Sequence, residues 1–358
     1  MLYLDISSKM TEIICHSEEE FLAIFERPNL CNIVKIEAIN IQLRQIPESI
    51  VSCIALKYLY ISYNQLKTLP KNIGSCVALQ HLDVSFNQLQ TIPKSIGSCI
   101  ALQKLYISQN QLQILPESIG QCIALQQLDV SENQLQTLPE SIGSCVALKK
   151  LYISYNQFQN LPENIGSCVA LQKLDVSHNQ LRTLPESIGS CISLQNLYAS
   201  HNQLQTFPES IGTCVDLQVL NVYHNKLKTF PESIGFCVSL QELSVYNNQL
   251  QTLPKSIGAC VDLRELSVYN NQLQTLPHSI GRCSKLKYLY IFNNLIGNDE
   301  IYTIEYLQKQ WKTKVKEIKS KLEGLCRIAI VRYNIDYQSE QYLPQQMKED
   351  IDSVKMII

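Results

Sequence analysis

Three histidines fall one per 23 residues, at His178, His201 and His224. Three imidazoles with an open fourth position form one kind of catalytic zinc site. On successive strands about 4.8 Å apart, however, the outer two would start roughly 10 Å from one another, and no general base is tied to them. Hydrogen bonding and modest pH sensitivity suit this spacing better, so neither metal nor cofactor is assigned. Eleven of the fourteen cysteines share the same interval, from Cys53 through Cys145 to Cys283. Thiols one full period apart match no disulfide or zinc motif and read as reduced, buried core residues.

Aromatic residues carry the sharper signal. Two residues before each conserved-spacing asparagine, serine runs from Ser62 to Ser200 and then gives way to Tyr223, Tyr246, Tyr269 and Phe292. Such a stripe is costly to leave in water unless something covers it, either another protein or the C-terminal tail folding back. Two positions earlier, tyrosine and aspartate alternate through Tyr60, Asp83, Tyr106, Asp129, Tyr152, Asp175 and Tyr198, which points to growth by duplicating a 46-residue pair. Large hydroxylated rings with interspersed carboxylates suit a basic protein surface. The candidate protein-binding residues are therefore Tyr152, Asp175, Tyr198, His178, His201, His224, Tyr223, Tyr246, Tyr269 and Phe292.

The element that must position them is the repeat itself. Full repeats start at Leu56 and every 23 residues on to Leu263, with a degenerate one from Ile33 and a truncated one from Leu286. In the repeat beginning at Leu56, Leu59 and Ile61 share one face of a short strand while Tyr58, Tyr60 and Ser62 face the other way. Asn64 and its equivalents through Asn294 can pair with backbone groups exposed where the chain turns. Leu66 and Leu69 point back inward, Pro70 opens a short convex segment, and Gly74 relaxes the backbone at its end. No repeat can bury its apolar face alone, so the repeats must stack. The pattern L-x-x-L-x-L-x-x-N at this period resembles leucine-rich repeats. That resemblance implies an α/β solenoid, a curved horseshoe with a parallel concave sheet, short helical or 3-10 convex segments and helical terminal caps.

Three segments follow. Residues 1–32 read as an N-terminal cap, in which Leu2, Leu4 and Ile6 alternate like a strand and Ser17 with Glu20 caps a helix through Phe21 and Phe25. Residues 33–297 form the solenoid of about 12 repeats. Residues 298–358 read as a helical cap and tail, with Ile304, Leu307, Trp311 and Val315 on one face and a cluster of lysines from Lys309 to Lys321.

The 358 residues carry a formal charge of -2, which offers no global field to nucleic acid. No apolar run reaches the length of a bilayer span, and Met1-Leu-Tyr-Leu-Asp lacks the flank and core of an export signal. So many cysteines suit a reducing cytosol, and leaderless delivery into another cell's cytosol would leave the same pattern. Phosphate-binding glycine loops, nucleophile elbows and H-E-x-x-H motifs do not occur. The L-P-x-x-I-G segments resemble the intracellular 23-residue class found in Ras-pathway scaffolds, plant intracellular repeat proteins and effectors of intracellular bacterial pathogens, with Cys where usual members place Leu. This resemblance implies a non-enzymatic, monomeric protein-protein interaction module: a secreted bacterial effector that binds a host cytosolic protein through its concave face, without membrane contact. The alternatives are a catalytic or ubiquitin-pathway effector, for which Cys326 lacks an adjacent acidic partner, and a membrane-associated adaptor using the basic C-terminal helix.

Overall fold

A computed structural model of the chain describes residues 11–27 and 29–296. The strand expected at Leu2, Leu4 and Ile6, the C-terminal helix, Cys326 and the tail lie outside the described residues. The chain divides into two compact units, the first Met1–Leu181 with Ser190–Leu194, the second Arg182–Gly189 with Gln195–Ile358.

The first unit opens with β1 (Thr11–Ile14) and α1 (Glu18–Ile24). Ser17 Oγ accepts the Glu20 N–H at 3.1 Å, and the Glu20 carboxylate accepts the His16 N–H at 2.7 Å. This capping box reaches one residue further back than the usual form, and three glutamates in the first turn complement the helix dipole. Phe21 and Ile24 are fully buried beneath the helix. Strands β2 (Ile33–Glu37), β3 (Tyr58–Tyr60), β4 (His81–Asp83), β5 (Lys104–Tyr106), β6 (Gln127–Asp129), β7 (Lys150–Tyr152) and β8 (Lys173–Asp175) follow, each parallel to the one before. The second unit carries β9 (Asn196–Tyr198), β10 (Val219–Asn221), β11 (Glu242–Ser244), β12 (Glu265–Ser267) and β13 (Tyr288–Tyr290), again parallel and in chain order.

In both units the central strand residue and the one two positions later are sealed in the core, as Leu128 and Val130 or Leu243 and Val245 show. From β3 on the strands proper are three residues long, yet interstrand hydrogen bonds continue past them: Ile61 N–H donates to Asp83 O at 2.8 Å and Tyr63 N–H to Ser85 O at 3.0 Å. The asparagine then closes the turn. Asn156 Nδ2 donates to Val130 O, Ile153 O and Ser154 O at 3.0–3.2 Å while its Oδ1 accepts from Leu135 N–H at 2.9 Å. Asn248 repeats the pattern with Val222 O, Val245 O, Tyr246 O and Leu227 N–H. Each amide thus satisfies buried backbone groups of two repeats at once.

The back of each stack is a 3-10 segment such as Glu140–Ser144, entered through Pro139. Its glycine serves a purpose other than the expected one, because no glycine among the described residues has a positive φ. A Cβ on Gly143 would lie 2.4 Å from Asn164 O, and one on Gly235 would lie 2.5 Å from Ser256 Cβ. Glycine is there because the next repeat's backbone approaches too closely for any side chain. Where Val51 takes the glycine position, the following 3-10 segment is shortened to Ile73–Ser75. The cysteines are buried as expected, but they do more than fill volume: Cys145 Sγ donates to Ile119 O at 3.5 Å and Cys260 Sγ to Ile234 O at 3.3 Å. Burial pushes the Cys145 thiol up to about 12, far from a reactive thiolate.

Candidate protein-binding face

One backbone feature organises the exposed strand face of both units. The residue before each ladder asparagine is left-handed, with φ between 52° and 57° from Tyr63 to Asn293. This conformation disfavours residues other than glycine, and asparagine and histidine tolerate it better than most. His178, His201 and His224 all occupy it. Its side chains project beside one another and stack or hydrogen-bond from repeat to repeat.

On the first unit this outer row contains Tyr63 stacked on Phe86 at 4.1 Å, a Gln109 to Glu132 hydrogen bond, and Tyr155 stacked on His178 at 4.0 Å. The strand positions are bonded among themselves. Asp83, Asp129 and Asp175 each accept, through Oδ1, the N–H of the serine two residues on at 3.0 Å. The alternating carboxylates therefore act as turn acceptors as well as surface charges. Tyr106 donates to Gln127 at 2.5 Å, Tyr60 pairs with His81 at 3.2 Å, and Lys173 Nζ lies 5.3 Å from the centre of the Tyr152 ring. Burial, then the charges of Asp175 and Asp83, raise the Asp129 carboxyl.

The second unit presents the aromatic stripe as a continuous stack. Ring centroids are 4.4 Å apart for Tyr223–Tyr246, 4.3 Å for Tyr246–Tyr269 and 4.4 Å for Tyr269–Phe292, with planes within 13° of parallel. Stacking half-buries each ring, and pairs of this kind contribute roughly 0.5–1.5 kcal/mol beyond area burial. The ring edges remain outward. Burial, then Tyr269 and Tyr223, drive the Tyr246 phenol far above its ordinary range. Alongside it, His201 stacks on His224 at 4.4 Å and meets Tyr223 edge-on at 5.2 Å.

A relay of amides completes the outer row. Asn293 Nδ2 donates to Asn270 Oδ1 at 2.8 Å, Asn270 Nδ2 to Asn247 Oδ1 at 2.6 Å, and Asn247 Nδ2 to His224 Nε2 at 2.7 Å. The last bond requires an unprotonated Nε2, hence a neutral imidazole with its proton on Nδ1. Burial, then the nearby His201, lowers the His224 pKa in agreement. Parallel imidazoles cannot aim ring-plane lone pairs at one ion between them, and no group of three or more His, Cys, Asp or Glu side chains among the described residues could hold a metal.

Of the residues expected at the site, the second unit brings together His201, His224, Tyr223, Tyr246, Tyr269 and Phe292. Tyr198 lies in β9 of that unit, whereas Tyr152, Asp175 and His178 belong to the first. Sequence reasoning missed Glu242, Glu265 and Asn221. The glutamates stand in register on β11 and β12, and Asn221 Oδ1 is buried without a hydrogen-bond partner. The signal was present in the first exposed strand position, where Lys104, Lys150 and Lys173 give way to Glu242 and Glu265. Also unforeseen was a row of exposed valines and isoleucines just after each repeat cysteine from Cys53 to Cys260, such as Ile123 at 61 % and Val146 at 53 % exposure.

Comparison with known proteins agrees with this architecture. A model of the leucine-rich repeat region matches residues 13–137 and 140–246, and a second leucine-rich repeat model matches residues 238–296. No curated protein sequence matches the chain. Among solved structures, a leucine-rich-repeat protein of Leptospira interrogans is 30 % identical with a TM-score of 0.55, over 80 % of this chain and 84 % of that one. The plant peptide hormone receptor RGFR1, solved in complex with RGF2, is 28 % identical with a TM-score of 0.65, over 74 % of this chain and 48 % of the receptor chain. This chain thus spans about half of that receptor chain. An internalin from Listeria monocytogenes shares the fold at 20 % identity and a TM-score of 0.61, over 82 % of this chain and 92 % of its own.

Proposed function

The chain belongs to the leucine-rich-repeat family, and on that premise we propose that it binds a protein partner through the strand face of the second unit. The observation that carries this reading is the stacked row Tyr223, Tyr246, Tyr269 and Phe292. Stacking fixes the rings before any partner arrives, so docking costs little side-chain entropy, and aromatic side chains held in this way dominate interface energies. His201, His224 and Tyr198 extend the contact surface. The role is that of a scaffold: the repeats present rows of side chains, and no group that could hold a metal occurs among the described residues. No helix among the described residues is long and apolar enough to cross a membrane.

The finer reading is an effector delivered by a bacterium into host cytosol. It is supported by the L-P-x-x-I-G repeats, by similarity to a leucine-rich-repeat protein of one bacterium, and by thirteen cysteines that are all free among the described residues. The test is affinity capture from host-cell lysate with wild type and a Tyr223→Ala/Tyr246→Ala/Tyr269→Ala variant whose circular dichroism matches wild type. A principal partner should be lost with the variant, since buried aromatic anchors commonly cost more than about 2 kcal/mol each when truncated. Recovery of the same partners at equal affinity would remove the stripe from the reading.

A further inference from the structure

We propose that the strand face of the second unit takes an arginine side chain from an extended segment of the protein partner. This rests on the reading above and adds the partner's chemistry. In β11 and β12, Glu242 faces Glu265 and Ser244 faces Ser267 in register. The serines lie on the strand face away from the core, between the glutamates and the tyrosines, and are only 5 % and 4 % exposed. They form the floor of a trough with Glu242 and Glu265 along one side and Tyr246 and Tyr269 along the other.

The two carboxylates stand on adjacent strands, roughly 5 Å apart at the backbone, and neither belongs to an ion pair among the described residues. Burial, then the charge of Glu242, raises the Glu265 carboxyl, which is the electrostatic mark of two carboxylates lacking a cation. Beyond Ser244, on β10, lies the buried and unpartnered Oδ1 of Asn221. Ser267 Oγ donates to Glu265 Oε1 at 3.4 Å, and the remaining carboxylate and amide oxygens of the trough are acceptors that ask for donors. Guanidinium answers that demand better than ammonium, because its planar fork can give one edge to each of two carboxylates one strand apart. Its methylene stem lies against the outward edges of the tyrosine rings, whose faces are already occupied by one another. On the first unit, Lys104, Lys150 and Lys173 hold the position that the glutamates hold here.

The experiment measures anisotropy of a fluorescent nonapeptide with three alternating arginines, and of its citrulline counterpart, against the full chain. Three proteins are compared: wild type, Glu242→Gln/Glu265→Gln, and a control, Glu209→Gln/Asp216→Asn, altered at exposed carboxyl groups of the same unit away from the trough. Binding of the arginine peptide should weaken at least about tenfold in the trough variant and stay unchanged in the control, and the citrulline peptide should bind at least about tenfold more weakly than the arginine peptide to wild type. Because Gln keeps the shape of Glu and relieves repulsion, the trough variant should melt no lower than wild type, which separates lost binding from lost fold. Equal binding by the trough variant, equal binding of the citrulline peptide, or no binding by wild type would overturn the proposal. A partner captured from lysate that is lost with the tyrosine variant but retained by the glutamate variant would overturn the arginine assignment and leave the aromatic stripe in place.

Discussion

The strand faces of the two units share one backbone and carry opposite chemistry. In the first, Lys104, Lys150 and Lys173 precede tyrosine or aspartate and then serine, each aspartate is engaged by a backbone N–H, and Tyr106 and Tyr60 find partners on the next strand. In the second, glutamates precede serines and tyrosines, and among the described residues the glutamates are in no ion pair and Asn221 Oδ1 has no partner, where an equivalent Asp129 Oδ1 binds Ser131 N–H. The first face is largely satisfied within itself. The second is rigid but chemically incomplete, which is the expected condition of a surface that ends in contact with something else.

If the units differ only in what they display, changes to the shared framework must act alike in both. The largest effect is expected from the asparagine ladder. Asn156→Ala and Asn248→Ala each strip hydrogen bonds from buried backbone groups of two repeats. Each should destabilise by about 3 kcal/mol, since unsatisfied buried groups cost roughly 1–3 kcal/mol apiece and partial relaxation recovers some of it. Urea denaturation followed by circular dichroism checks this, and a loss confined to one unit's variant would break the claim of a common framework.

Next come the glycines at the back. Gly143→Ala and Gly235→Ala insert a methyl into contacts of 2.4 and 2.5 Å, so adjacent repeats must part slightly. The expected loss is about 1–3 kcal/mol in either unit, as for other overpacked sites. A neutral outcome would return these glycines to the conformational role suggested by sequence alone.

That contrast marks where the sequence was legible and where it was not. Period and apolar spacing revealed the strands, inward leucines, asparagine ladder and buried cysteines, because one-dimensional periodicity maps directly onto a stack. They also picked out the tyrosine stripe. The reason for each glycine stayed hidden, since it lies in the approach of a backbone some 21 residues away (Gly143 to Asn164). So did the cysteine hydrogen bonds, which join Sγ of Cys145 to a carbonyl of the preceding repeat. Glu242 and Glu265 were overlooked because either glutamate alone is an ordinary exposed-strand residue; only the parallel register sets them side by side. The assignment of 1–32, 33–297 and 298–358 as cap, solenoid and cap remains a proposal for truncation to test.

A smaller effect should separate the two outer rows. The second unit already places Asn247, Asn270 and Asn293 in the left-handed position, whereas the first places Glu132 and Gln109 there. Glu132→Asn should stabilise by about 0.5 kcal/mol, because asparagine tolerates the conformation better than glutamate. Asn270→Ala should destabilise by about 1 kcal/mol, through left-handed strain and loss of the amide relay. Differential scanning calorimetry resolves opposite signs even at this size, and equal signs would show that the amide relay, and not backbone tolerance, governs the row.

The smallest effect is a pH dependence that distinguishes the causes acting on two histidines. His224 in the second unit and His81 in the first both have pKa values lowered from 6.5, each first by burial, then by His201 and Lys104 respectively. The unfolded chain takes up these protons near the ordinary value, before the folded chain does. In the window just below pH 6.5 the unfolded state therefore binds more protons, so stability is intact above that value and declines as pH falls towards the folded pKa values. The variant His201→Asn keeps a residue suited to the left-handed position and removes the charge facing His224. In imidazole nitrogen spectra the His224 midpoint should move part of the way back towards 6.5, because burial remains the larger cause, while the His81 midpoint stays where it was. A His224 midpoint unmoved by His201→Asn would show that the stacked pair does not interact electrostatically, leaving burial to account for the shift.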